Sequence, residues 1–309
     1  GDCPGINATI RGVCKTAISH YGMEVYGIRS GFRGLLDNDI IPLDENSLTG
    51  LLSMGGTILG TSREKPFKNR ANVPVSEDKP AMMLKTIRER KLDCVVCIGG
   101  NGTQKTAAKL AATGVNVVTV PKTIDNDVWG TDISFGFDSA VSIATEAIDR
   151  LHSTASAHQR VMVIEVMGHK AGWIALYSGM AGGGDIILLP EIPFDIHRIG
   201  DTIINRLKKG KPYSIVVVAE GIPTLGGKKA AQYIAEEIEY ETGFETRETV
   251  LGYIQRGGGP TAFDRNLATR MGGHATELIA SGQFGRMVSL RGSEITSVPL
   301  GEVAGKLKL

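Results

Sequence analysis

The stretch Cys94-Val95-Val96-Cys97-Ile98-Gly99-Gly100-Asn101-Gly102-Thr103 runs from a short apolar segment into a glycine-rich turn, and an amphipathic segment follows at once. An apolar run of this length bounded by glycines reads as a strand buried on both faces. The glycines after it let backbone N–H groups approach a phosphate, and the helix start beyond adds a favourable dipole. No Gly-Lys-Ser/Thr follows, so this is not a Walker loop, and the dinucleotide GxGxxG spacing is absent. Alone, the loop points to a phosphate or nucleotide, with a structural turn as the alternative. Cys94 and Cys97 have the CxxC spacing of redox and zinc sites. In a strand, however, positions three apart face opposite sides, so both are read as core residues. Four cysteines in a chain of this length make no disulfide scaffold, and a reducing, cytoplasmic setting is expected.

Outward from that stretch the pattern repeats. Strands are predicted over 24–28, 94–98, 116–120, 161–166, 186–189, 214–219, 246–251 and 286–290. Helices are predicted over 6–21, 79–90, 103–113, 172–180, 195–209, 228–242 and 262–280. The stripe Phe137, Ala140, Val141, Ala144, Ala147, Ile148, Leu151 marks one more helix. Such alternation predicts an α/β fold: two Rossmann-like lobes with mostly parallel sheets flanked by helices, and an active site in the cleft between them. The seam is placed at Phe137 with return near Leu251, so residues 1–136 plus 252–309 form the larger lobe and 137–251 the smaller. The opening turn Gly1-Asp2-Cys3-Pro4-Gly5-Ile6-Asn7 has no strand ahead of it, so a further strand upstream is expected. The polar segment from Arg63 to Asp78, with Lys65, Pro66, Lys68, Arg70 and Pro74, reads as a mobile loop.

Composition limits the partners. The chain has 309 residues, enough for two domains, and 34 Lys+Arg against 33 Asp+Glu leave a net charge of +1. No global field recruits nucleic acid or an anionic membrane, so any anionic ligand must be held by a local cluster. There is no signal-peptide pattern and no apolar run near the ~18 residues a membrane span needs. Glycine, at 40 residues, is well above its usual ~7% share, which fits an enzyme rich in tight turns and close backbone approaches.

The second chemical motif is Pro121-Lys122-Thr123-Ile124-Asp125-Asn126-Asp127. It follows the next predicted strand at its carboxyl end, where ligands bind in open α/β sheets. Two carboxylates two residues apart, beside a lysine and a threonine, suit phosphoryl transfer. One accepts a proton from the attacking hydroxyl; the other faces a metal or holds the first in place. An Asx-rich turn is the bland alternative, and two phosphate-type loops on consecutive strands count against it. Further polar anchors fall at predicted strand ends: Ser156–Arg160, Met167-Gly168-His169, Glu220, and Tyr253-Ile254-Gln255-Arg256, with Arg247 ahead of the last. Arginines suit bidentate phosphate capture, and Glu220 suits sugar hydroxyls. Arg63 is retained because it follows the run Gly55-Gly56-Thr57-Ile58-Leu59-Gly60-Thr61-Ser62.

Taken in order, these motifs resemble the phosphofructokinase family over essentially the whole chain. The match includes Gly1–Asn7, Gly56–Arg63, Gly99–Thr103, Pro121–Asp127, His158-Gln159-Arg160, Met167–Gly172, Glu220-Gly221, Glu245-Thr246-Arg247 and Leu251–Gly258. The resemblance implies phosphorylation of fructose 6-phosphate at its 1-hydroxyl by ATP with Mg²⁺. It implies that Asp125 is the base, that Asp127 assists it and with Asn101 faces the metal, and that Arg63 and Thr123 take part in catalysis. Gly1, Arg63, Glu64, Gly100, Asn101, Gly102, Thr103 and Lys122 would line the donor site. Thr123, Ile124, Asp125, Met167, Gly168, His169, Glu220, Tyr253, Ile254, Gln255 and Arg256 would shape the sugar site. In the homotetramer the family forms, Arg160 and Arg247 would reach a neighbouring subunit's site.

The departures bear on the donor. Asn101 stands where the best-known bacterial pattern has Asp. Gly102 resembles ATP users, because pyrophosphate users place an Asp there that crowds the nucleotide. Lys122 resembles pyrophosphate users. Sterics favour ATP, since Lys122 can lie along the phosphates of either donor. A pyrophosphate-dependent enzyme and a non-catalytic sugar-phosphate or nucleotide-sensing subunit are the alternatives. Met54 and His152 stand where the family's effector site has arginines, beside Arg11, Lys15, Asp185, Lys209 and Lys211, so a weak effector response is expected.

Overall fold

The computed structural model describes residues 1–67 and 78–309; of the predicted 63–78 loop, the part carrying Lys68, Arg70 and Pro74 lies outside the described residues. In chain order come α1 (Ile6–Tyr21), β1 (Val25–Ile28), α2 (Phe32–Asp37), β2 (Ile40–Leu43), α3 (Lys79–Glu89), β3 (Val95–Gly99), α4 (Asn101–Ala111) and β4 (Val117–Pro121). Next are α5 (Phe137–His158), β5 (Val161–Val166), α6 (Trp173–Ala181), β6 (Ile186–Leu188), α7 (Ile196–Lys208), β7 (Ser214–Ala219), α8 (Ala230–Thr242) and β8 (Thr246–Val250). The chain then forms a 3₁₀ turn (Gly252–Arg256), α9 (Ala262–Ala280), β9 (Arg286–Arg291), β10 (Glu294–Pro299) and α10 (Leu300–Val303).

Two compact units result. One holds Gly1–Thr123, Val128–Gly136 and Gly257–Leu307; the other holds Ile124–Asp127, Phe137–Arg256 and Lys308–Leu309. In the first unit β3, β4 and β9 run parallel, β10 closes one edge antiparallel to β9, and β1 and β2 form a separate antiparallel pair. Every residue of β4 is buried, with Met83, Leu110, Val117 and Met287 among the core side chains. Helices α1 and α9 touch through glycines: a Cβ on Gly12 would stand 2.6 Å from the Thr269 carbonyl oxygen, and one on Gly272 would stand 2.5 Å from that of Thr9. No larger residue fits either position without moving backbone.

In the second unit the strand order is β6-β7-β5-β8, and all neighbours are parallel. The central strand β7 is buried at every residue, whereas the edge strand β8 is mostly exposed or half-buried. A parallel sheet of this kind presents its carboxyl-end loops as the ligand-binding edge. Met167 follows β5 and Glu220 follows β7, so the two emerge from neighbouring strands at the same end.

Several expectations need correction. The predicted division grouped 124–127 and 252–256 with the first lobe, but both pack in the second unit, as do Lys308 and Leu309. Helix α4 begins at Asn101 instead of 103, because the Gly100 carbonyl accepts both Thr103 and Gln104 N–H and so starts the helix at once. Helix α5 continues to His158. The short elements α2, β2, β10 and α10 were not predicted. Each is at most six residues long, too short for its periodicity to stand out. Both CxxC thiols are free and pushed up to about 12 by burial, which suits inert thiols; Cys97 is a core residue as expected, but Cys94 lies just ahead of β3 and is only half-buried.

Candidate active site

In the first unit the predicted phosphate loop lies between β3 and α4. Gly100 is the N-cap of α4 and supplies no side-chain cap, so this helix start depends on backbone groups for its chemistry. A side chain that sequence reasoning missed supports the loop from below. The fully buried Gln104 donates from Nε2 to the Gly99 carbonyl at 2.9 Å and accepts from Thr119 Oγ1 at 2.6 Å. Its position one helical turn past the glycines was the available signal. A Cβ on Gly102 would meet nothing within 4 Å, and its φ is not in the left-handed region, so the fold itself does not require glycine there. Gly102 is exposed while Asn101 and Thr103 are half-buried.

Lys122 comes directly after β4 and is buried, with Nζ donating to the Gly1 carbonyl at 2.6 Å. Its backbone N–H donates to the Gly99 carbonyl at 3.0 Å, which ties the two predicted loops together. Thr123 is buried, and its carbonyl accepts from Ser134 Oγ at 2.8 Å. Arg63 is exposed, and its neighbour Glu64 pairs with Lys79 at 2.9 Å.

The second unit begins where the chain passes from Thr123 to Ile124. Ile124, Asn126 and Asp127 are buried and Asp125 is half-buried. Burial pushes the Asp125 carboxyl up to about 6, and the negative charges of Asp127 and Glu220 push the same way. Arg256 and His169 pull it back down. Four charged or polar side chains, Asp127 beside it and His169, Glu220 and Arg256 from distant parts of the sequence, therefore act on one carboxylate.

The Met167-Gly168-His169 turn is held from two sides. Glu220 Oε1 accepts from the Gly168 N–H at 3.2 Å and the His169 N–H at 2.7 Å, and Gln255 Oε1 accepts from the Met167 N–H at 2.8 Å. Gly168 has φ +148°, and a Cβ there would lie 2.4 Å from the Ala171 carbonyl oxygen. Gln255 is completely buried, whereas Tyr253 and Ile254 are largely exposed; Arg256 stacks 5.1 Å from the Tyr253 ring centroid.

Arg160 and Arg247 are separated from this group. Arg160 directly precedes β5, and Met162 on β5 pairs with Arg247 near the start of β8, so both arginines lie at the amino end of the sheet. The whole length of β5, roughly 20 Å, separates Arg160 from Met167. Glu245 holds both arginines, bonding Arg160 Nε at 2.6 Å and pairing with Arg247, and these contacts hold its carboxyl below the usual range. In the same unit, His152 bonds the Tyr213 hydroxyl and the Gly182 carbonyl, and Asp185 pairs with Arg206 at 2.6 Å.

The chain as a whole is similar to known proteins. A family model described as phosphofructokinase matches residues 1–279. An ATP-dependent 6-phosphofructokinase 3 of Bacteroides thetaiotaomicron is 78% identical over all of this chain and 92% of its own length. A pyrophosphate–fructose 6-phosphate 1-phosphotransferase of Streptomyces coelicolor is 46% identical over 100% of this chain and 90% of its own. Among solved structures, Pichia pastoris phosphofructokinase in the T-state superposes with a TM-score of 0.89 at 31% identity, over 98% of this chain. This chain spans 34% of that much longer one.

Proposed function

The chain belongs to the phosphofructokinase family, and from that premise we infer that it transfers the γ-phosphoryl group of ATP to the 1-hydroxyl of fructose 6-phosphate. The products are fructose 1,6-bisphosphate and ADP. The observation that carries the mechanism is the Asp125 carboxyl, raised to about 6. A base at that value is ionised at neutral pH and still basic enough to accept the hydroxyl proton as the oxygen attacks phosphorus. Glu220, His169 and Arg256 surround it electrostatically and are the polar groups available to a sugar phosphate. Thr123 and Ile124 fix the backbone leading into the base, and Arg63 offers a guanidinium to the transferring group.

Gly1, Glu64, Gly100, Asn101, Gly102, Thr103 and Lys122 form the donor side of this reading. The 78% identity to an ATP-dependent relative and the open space beside Gly102 both support ATP over pyrophosphate. The residues also fit Mg²⁺. Among the described residues no three His, Cys, Asp or Glu side chains form a metal cage. Mg²⁺ is ordinarily held by one or two carboxylates together with substrate phosphates and water, and Asp127 and Asn101 supply hard oxygen donors of that kind. When bound, the ion neutralises charge developing on the phosphate oxygens. Arg160 and Arg247, at the other end of the sheet from Met167, serve a neighbouring subunit's 6-phosphate in a homotetramer. No helix among the described residues is long and apolar enough to cross a membrane, and a cytoplasmic location accords with the four free cysteines.

The test is formation of fructose 1,6-bisphosphate from fructose 6-phosphate and Mg²⁺, with ATP and with pyrophosphate in separate reactions. The reading requires turnover with ATP. Turnover with pyrophosphate alone would transfer the deciding role to Lys122, and silence with both would overturn the reading in favour of a sensing subunit.

A further inference from the structure

We propose that Lys308 is a positioning residue that holds the acidic turn of Asp125 and Asp127 in its reactive conformation. The proposal rests on the phosphotransferase reading and adds to it a residue far away in sequence. It begins with Asn126, which lies between the two carboxylates with φ +53°. Asparagine enters the left-handed region more readily than other non-glycine residues because its short side chain can hydrogen-bond, so the partner of that side chain bears on whether the turn holds this torsion. Lys308 meets this turn at two points. Its Nζ donates to Asn126 Oδ1 at 3.0 Å, and its backbone N–H donates to the Asp127 carbonyl at 2.9 Å.

Lys308 is anchored in turn. The Trp173 indole N–H donates to its carbonyl at 3.1 Å, and its ammonium lies 5.4 Å from the Trp173 ring centroid. Trp173 is the first residue of α6, the helix that follows the Met167–His169 turn. The acidic turn, Lys308 and Trp173 all belong to the same compact unit. Lys308 therefore couples the loop bearing the base to the helix after the proposed sugar-binding turn. Because Asn126 lies between Asp125 and Asp127, a change in its backbone torsion reorients both carboxylates. Misplacement of a reacting group by about 1 Å costs on the order of 10²-fold in rate, so a bond that fixes this torsion acts on turnover more than on binding.

The test is a set of variants assayed for fructose 6-phosphate phosphorylation with ATP. Lys308→Met keeps the stem against Trp173 and both backbone bonds while removing the ammonium. It is expected to lower kcat about tenfold, with KM for fructose 6-phosphate within about threefold and Tm within ~2 °C. Lys308→Arg, which keeps a cationic donor, should return kcat to within about threefold. Asn126→Gly removes the acceptor, and the double variant should be no slower than the slower single one, because the two side chains act as one unit. Unchanged kcat in Lys308→Met overturns the proposal. So do losses that multiply in the double variant, or a rate loss that tracks a falling Tm and is not rescued by arginine. If Lys308→Met fails to fold, the Asn126→Gly and Lys308→Arg comparison decides alone. All ratios are taken against the unaltered protein, whose own turnover with ATP judges the functional reading separately.

Discussion

The loop after β3 and the turn after β4 are neighbours in sequence and are built on opposite principles. The first, Gly99–Thr103, offers backbone and empty space: its helix has no side-chain cap, and nothing lies near a Cβ at Gly102. The second, Ile124–Asp127, offers buried charge, with Asp125 raised to about 6 by burial and by two other carboxylates. A phosphate needs donors that can come close to it, and glycine permits that. A base needs its own ionised form to be disfavoured, and burial among like charges achieves that. Substitution in the first loop should therefore change what binds, and substitution in the second should change what reacts.

The largest expected effect is at the turn. Asp125→Asn removes the proposed proton acceptor and should lower kcat by roughly 10²–10⁴-fold with sugar-phosphate binding largely intact, checked by turnover beside direct titration of fructose 6-phosphate. The same variant should gain stability. A carboxyl whose folded pKa lies above its unfolded one stabilises the fold below ~pH 4, and that contribution is lost as pH rises through about 6. At pH 7 the neutral amide avoids this penalty, worth about 1–3 kcal/mol, so Tm should rise by a few degrees. A variant that is both inactive and less stable would break the contrast between the two regions.

Next in size is Gly102→Asp. The protein has room for the side chain, and an acidic residue in the first turn of α4 suits the helix dipole. Stability should therefore hold or rise slightly, while kcat/KM for ATP falls at least about 100-fold through charge and steric conflict with the donor's phosphates. Assays over a range of ATP concentrations beside thermal melts would show it. Unchanged use of ATP would mean that the loop does not contact the donor.

Much of this was legible in the sequence because the chemistry sits in contiguous motifs on strongly periodic elements. The run into Gly99 gave β3, and the Asp125–Asp127 spacing marked the acidic turn. What escaped were long-range partners. Gln104 was hidden as an ordinary helical residue until the Gly99 carbonyl and Thr119 were placed around it. Lys308 lies 182 positions from Asn126, and no local pattern announces such a bond. The grouping of 124–127 and 252–256 with the second unit was missed for the same reason: periodicity reports an element's face, not which body it packs against. Arg160 and Arg247 were each visible as arginines near strand ends, but their sharing of Glu245 was not.

The most direct measurement is the pH dependence of kcat/KM for fructose 6-phosphate with ATP and Mg²⁺, taken from pH 4.5 to 8. If Asp125 is the base and its carboxyl stands at about 6, activity is flat above neutrality and falls tenfold per pH unit below about 6. A profile that stays flat down to pH 4.5 would contradict the account, because the group that takes the proton would then not be the carboxylate raised by burial beside Asp127 and Glu220.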